Sequence, residues 1–78
     1  MPASVLIVED EEPIQELLAY NFEAEGYTVR TLDGSEDVVR DVVNDTPDLI
    51  ILDWMLPNLS GIEICRSLRA RPETREVC

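Results

Sequence analysis

Apolar and polar positions follow two different rhythms along this chain. Val5-Leu6-Ile7-Val8 is an unbroken aliphatic run, the pattern of a strand covered on both faces, as in a parallel sheet. Pro13 then suits the first turn of a helix, and Ile14, Leu17, Leu18 and Phe22 recur at spacings of three and four, drawing one apolar stripe. Gly26 stands where that helix would end in the left-handed conformation. Tyr27, Val29 and Thr31 alternate with Thr28 and Arg30, which predicts a short, half-exposed strand suited to a sheet edge and closed by an Asp33-Gly34 turn.

Ser35 is placed to cap a second helix, with Glu36 and Asp37 near its positive end and Val39, Val42 and Val43 as its inner face. Asn44 to Pro47 stops it. Asp48 precedes a second unbroken run, Leu49-Ile50-Ile51-Leu52, predicted to be a central strand that ends abruptly in Asp53. After Leu56-Pro57-Asn58-Leu59, Ser60 is expected to cap a third helix with Ile62, Ile64, Cys65 and Leu68 facing inward, ended by Pro72 and followed by a polar exit. Strands alternating with helices predict an α/β domain, β-α-β-α-β-α, with right-handed crossovers over a parallel sheet.

Composition narrows the picture. At 78 residues the chain is one domain at most, and a chain this short buries only about 60% of the surface its unfolded form exposes. A hydrophobic share of 45% with 29% charged residues is that of a folding chain and not of a disordered one. The net charge of −11 argues against a nucleic-acid grip or an anionic-membrane grip by this segment and favours a cation or a basic partner. There is no apolar run long enough for a membrane span or a signal peptide, and no basic leader, so a cytoplasmic location is expected.

Two cysteines make no disulfide framework, and without histidine they lack metal-ligand company. Cys65 is expected as a small core residue, and Cys78 as an exposed thiol open to oxidation between chains. Arg66, Arg69, Arg71 and Arg75 read as a solvated face, or alternatively as partners for acidic residues of another chain.

The first apolar run leads directly into Glu9, Asp10, Glu11 and Glu12. Unit like charges about 4 Å apart repel by about 4 kcal/mol at intermediate dielectric, so the cluster needs a reason. Glu11 and Glu12 have a bland one, since a helix N-terminus favours acids. Glu9 and Asp10 sit at the carboxyl end of one strand and Asp53 at the carboxyl end of another, which is where open α/β sheets bind ligands. If the strands are neighbours, three carboxylates converge, and a divalent cation relieves them. Mg²⁺ fits, because it takes oxygen ligands and is commonly held by one or two carboxylates plus a substrate phosphate. Asp53 at a strand tip is also placed to act as a carboxylate nucleophile toward phosphorus.

VLIVEDEEPI, LIILDWMLP and the following NLSG closely resemble the receiver domain of bacterial two-component response regulators, in particular the winged-helix transcription factors of the phosphate-regulon type. The resemblance runs from about Ser4 to Val77. It implies a flavodoxin-like fold, with Asp53 as acceptor of a phosphoryl group from a sensor histidine kinase and Glu9 and Asp10 as the acid pair. It further implies that Asp10 binds Mg²⁺ directly and Glu9 through water, and that Met55 lends its backbone carbonyl. Trp54, beside the acceptor, is expected as a reporter of the site and not as a reacting group.

A receiver of this kind has about five βα units in strand order 2-1-3-4-5. Residues 1–78 are therefore expected to be the N-terminal part of a receiver, without the DNA-binding output domain and without the switch Ser/Thr, the aromatic switch residue and the phosphoryl-contacting lysine. The six basic residues are all arginine, so no lysine of this chain fills that last role.

The resemblance implies a signalling module and not an enzyme. A hydrolase of the dehalogenase type would carry a second aspartate two residues after its nucleophile, where this chain has Met55. The alternative from a different class is an incomplete receiver that binds divalent metal or self-associates without signalling. With order 2-1-3, the edge Leu49 to Leu52 would be exposed, and such an edge recruits another strand, giving a homodimer joined through the third strands.

Overall fold

In the computed structural model, which describes residues 3–34, 37–52 and 61–72, six elements alternate: β1 (Ser4–Val8), α1 (Glu12–Ala24), β2 (Thr28–Leu32), α2 (Val38–Asn44), β3 (Leu49–Leu52) and α3 (Gly61–Arg69). The strands form a parallel sheet in order β2-β1-β3. β1 is thus paired on both sides, and Val5 to Val8 are each at most 1% exposed.

Alternation along β1 divides the core between two faces. Leu6 and Val8 join Ile50 of β3, Val38 and Val42 of α2, and Ile64 and Leu68 of α3 in one buried cluster. Val5 and Ile7 point the other way, to the face where α1 packs against β1 and β2. The expected α/β architecture therefore forms as three layers: α1, the sheet, and α2 with α3.

Two predicted turns form as read. α1 gives way at Gly26, whose φ is 94° and whose N–H donates to the Glu23 carbonyl at 3.0 Å. Gly34, in the turn after β2, has φ 91°. Phe22 and Tyr27 meet edge to face across the first of these turns, with ring centroids 5.7 Å apart.

Several side chains depart from the periodic reading. α1 buries none of its residues: Leu18, Ala19 and Phe22 are half-buried, while Ile14 and Leu17 are 43% and 61% exposed. Among the described residues the helix packs chiefly on β1 and β2, and its half-buried line runs through Gln15, Leu18, Ala19 and Phe22 instead of along the whole apolar stripe.

The cap of α2 is Asp37, whose side chain accepts from the Arg40 N–H at 3.0 Å; the predicted cap Ser35 lies outside the described residues. A start at Val38 rotates that residue and Val42 into the core and leaves Val39 and Val43 half-buried. On α3, Gly61, Ile64 and Leu68 face inward at spacings of three and four, whereas Ile62 is exposed and Cys65 is half-buried, at the margin of the core and not within it. Ser60, Arg75 and Cys78 lie outside the described residues. Arg66, Arg69 and Arg71 are exposed, in line with a solvated face.

β3 is a sheet edge among the described residues and not a central strand, because β1 takes the centre; Leu49 is consequently 42% exposed while Ile50 is buried. Of the edge expected to be exposed over Leu49 to Leu52, only Leu49 is exposed; Ile50 is buried and Ile51 and Leu52 are half-buried.

Polar ties hold the amino end of the sheet. Asp48 accepts from the Ser4 N–H at 2.7 Å and returns its own N–H to the Ser4 carbonyl at 2.9 Å, which sets where β3 begins against β1. Arg30 on β2 lies on the α2 face and reaches Asp41 at 2.8 Å and Asp45 at 3.2 Å. These pairs are partly exposed, so they orient α2 more than they stabilise it. Replacing Asp48→Ala removes the bonds its carboxylate accepts from the Ser4 N–H at 2.7 Å and the Ser4 hydroxyl at 3.4 Å and should lower unfolding stability by about 1 kcal/mol, read as a lower urea midpoint at unchanged slope.

Candidate functional site

β1 ends at Val8 and α1 begins at Glu12, and the link between them is acidic throughout: Glu9, Asp10 and Glu11. Backbone bonds fix this link. The Glu9 N–H donates to the Leu32 carbonyl at the end of β2 at 3.0 Å, and the Gln15 N–H donates to the Glu11 carbonyl at 3.0 Å. Glu11 is the N-cap residue of α1 in extended conformation, without a side-chain cap bond, and Glu12 supplies the acid of the first turn. The bland reading of Glu11 and Glu12 as helix-start acids agrees with these positions.

Glu9 and Asp10 differ sharply from each other. Glu9 is 7% exposed, the buried charged residue among those described, whereas Asp10 is exposed. Burying a carboxylate works against folding unless its surroundings compensate it. One acid is therefore set back at the strand end, and the next is open to solvent beside it.

The third expected carboxylate comes from the neighbouring strand. β1 and β3 run parallel with Val8 opposite Leu52, so both strands end at the same level and on the same side of the sheet. Asp53 follows Leu52 in the chain, but Asp53, Trp54 and Met55 lie outside the described residues. Of the four predicted site residues the structure thus describes Glu9 and Asp10, neighbours in the chain, one buried and the other exposed. Among the described residues no group of three or more potential metal ligands forms.

The donor chemistry of the two described acids suits a hard divalent cation. Both offer carboxylate oxygen, and the chain has no histidine to compete; Mg²⁺ asks for oxygen ligands in a setting that leaves room for water. An open pocket lined by Ser4, Thr28, Arg30, Asp45 and Asp48 lies at the opposite, amino end of the sheet. Ligand sites of open α/β sheets lie at the carboxyl ends, so the acid turn is the stronger candidate.

Periodicity draws attention to Ile14, Leu17, Leu18 and Phe22 and passes over Gln15. The structure places the Gln15 side chain against the acid turn, with Nε2 donating to the Glu9 carbonyl at 3.1 Å and to the Leu32 carbonyl at 3.1 Å. The available signal was positional: Gln15 is one turn beyond the acids on a helix that starts at Glu12.

No helix among the described residues is long and apolar enough to cross a membrane. The family model for the response regulator receiver domain matches residues 5–78. The chain is 54% identical over 78 residues to the phosphate regulon transcriptional regulatory protein PhoB of Rhizobium meliloti (strain 1021), which covers 99% of this chain and 34% of that protein. It superposes with a TM-score of 0.89, at 28% identity, on the receiver domain of the sensor histidine kinase PA1611 from Pseudomonas aeruginosa PAO1, a structure with a magnesium ion coordinated in the active site cleft, over 99% of this chain and 63% of that one. With the response regulator protein TrrA from Thermotoga maritima in complex with Mg²⁺-BeF, the TM-score is 0.84 at 33% identity, over 94% of this chain and 63% of that one. The chain spans about a third of the length of the curated relatives it matches, 34% and 29%. With its flavodoxin-like sheet, its acid pair at the end of β1 and a family match over nearly its whole length, the chain belongs to the response regulator receiver domain family.

Proposed function

We propose that this chain is the N-terminal part of a receiver that takes a phosphoryl group onto Asp53 from a sensor histidine kinase and so controls a transcription regulator in the cytoplasm. The observation that carries this reading is the parallel register of Val8 with Leu52, which brings the end of β3 level with the buried Glu9 and the exposed Asp10. In the reaction, an Asp53 carboxylate oxygen forms a bond to phosphorus while the bond from phosphorus to the kinase imidazole nitrogen breaks, giving an acyl phosphate and a free imidazole. Asp10 and Asp53 would hold Mg²⁺ directly, Glu9 through water and Met55 through its carbonyl. When bound, Mg²⁺ neutralises charge on the transferring group.

The net charge of −11 leaves DNA contact to another part of the parent protein. That division fits the likeness to a transcriptional regulatory protein about three times as long.

Incubation with acetyl phosphate and Mg²⁺ should add one phosphoryl group to the intact mass, and Asp53→Ala should abolish the gain; no gain in the unaltered chain would overturn the reading. Asp10→Asn should weaken Mg²⁺ binding by at least about tenfold, a loss of only about 1.4 kcal/mol, followed by Trp54 fluorescence during titration.

A second reading is favoured by the exposure of Leu49 on the outer edge of β3. Such an edge can pair with its copy, and the chain would then form a homodimer through β3 that binds metal without passing on a signal. Light scattering should report a dimer at high concentration under this reading; a folded monomer throughout the range removes it.

A further inference from the structure

We infer that Gln15 is a positioning residue for the acid pair, an inference that rests on the metal-site reading of Glu9 and Asp10. Its carboxamide spans the ends of two strands: Nε2 donates at 3.1 Å to the carbonyl of Glu9, just past β1, and at 3.1 Å to that of Leu32, the last residue of β2. Both partners are acceptors, so the amide nitrogen, with its two N–H bonds, is the end of the side chain that can serve them. The Leu32 carbonyl also receives the Glu9 N–H at 3.0 Å and uses both of its lone pairs.

The position of these bonds gives them their consequence. The Glu9 carbonyl belongs to the peptide plane that joins Glu9 to Asp10, so a bond to it holds the plane that carries the Asp10 nitrogen and Cα. The Gln15 backbone is itself anchored by its N–H to the Glu11 carbonyl at 3.0 Å. The residues on both sides of Asp10 are therefore tied, through the side chain and the main chain of Gln15, to the first turn of α1. The exposed Asp10 thus sits between two residues that are each held in place. Groups that orient metal ligands without touching the metal are typically worth about 10–100-fold in affinity.

The test compares Mg²⁺ binding by the unaltered chain, by Gln15→Met, which keeps the side-chain length but has no N–H to offer, and by Asn21→Ala, a substitution at an exposed position of the same helix. Gln15→Met should weaken Mg²⁺ binding by about tenfold, while Asn21→Ala leaves it unchanged. In the unaltered chain the Gln15 side-chain amide resonances should shift during the titration with the same midpoint as the Asp10 backbone amide. Equal Mg²⁺ affinity in the unaltered chain and in folded Gln15→Met overturns the inference and leaves the metal-site reading standing. Should Gln15→Met not fold, the resonances decide: Gln15 signals that stay still while those of Asp10 move overturn the inference. No Mg²⁺ response anywhere in the unaltered chain overturns the metal-site reading, and the inference with it.

Discussion

Everything in this small fold hangs on β1 being buried from both faces and paired along both edges. Val5 to Val8 have no solvent-facing side, because alternate residues are covered by α1 and by the α2–α3 layer while β2 and β3 close the flanks. Removing a fully buried leucine such as Leu6 from a core costs about 2–5 kcal/mol, a large share of the stability available to so short a chain. The rigidity of this central strand fixes where its carboxyl end emerges, and with it the place of the acids.

The acid turn draws on that rigidity for an arrangement that works against folding. A net charge of −11 is self-repelling, and Glu9 adds a carboxylate taken largely out of water. Backbone ties to Leu32 and the Gln15 amide compensate geometrically by leaving the turn little freedom.

The residues that sequence reasoning placed well and those it misplaced divide on physical lines. The aliphatic runs Val5–Val8 and Leu49–Leu52, the glycine turns at 26 and 34 and the acid pair were legible because each depends on short-range chemistry: strand burial, positive φ, and charge at a strand terminus. The seating of helices was less legible. Ile14, Leu17 and Ile62 match a helical period yet stand exposed, because periodicity says which residues share a face and not how far the neighbouring layer extends over it. On α2, Asp37 caps the helix and Val38 and Val42 are buried, whereas the valine pattern pointed to Val39 and Val43 beside Val42.

The chain by itself determined the element order, the central strand, the acids at its end and the family, since all of these follow from patterns within a few residues of one another. The order β2-β1-β3 was implied by the family resemblance and is borne out, whereas tertiary structure decided the finer matters of mutual position: the register of Val8 against Leu52, the burial that separates Glu9 from Asp10, and the reach of Gln15 to two strand ends. A glutamine among helix-forming residues carries no mark of its partners, because those partners are backbone carbonyls brought to it only when two distant strands have paired.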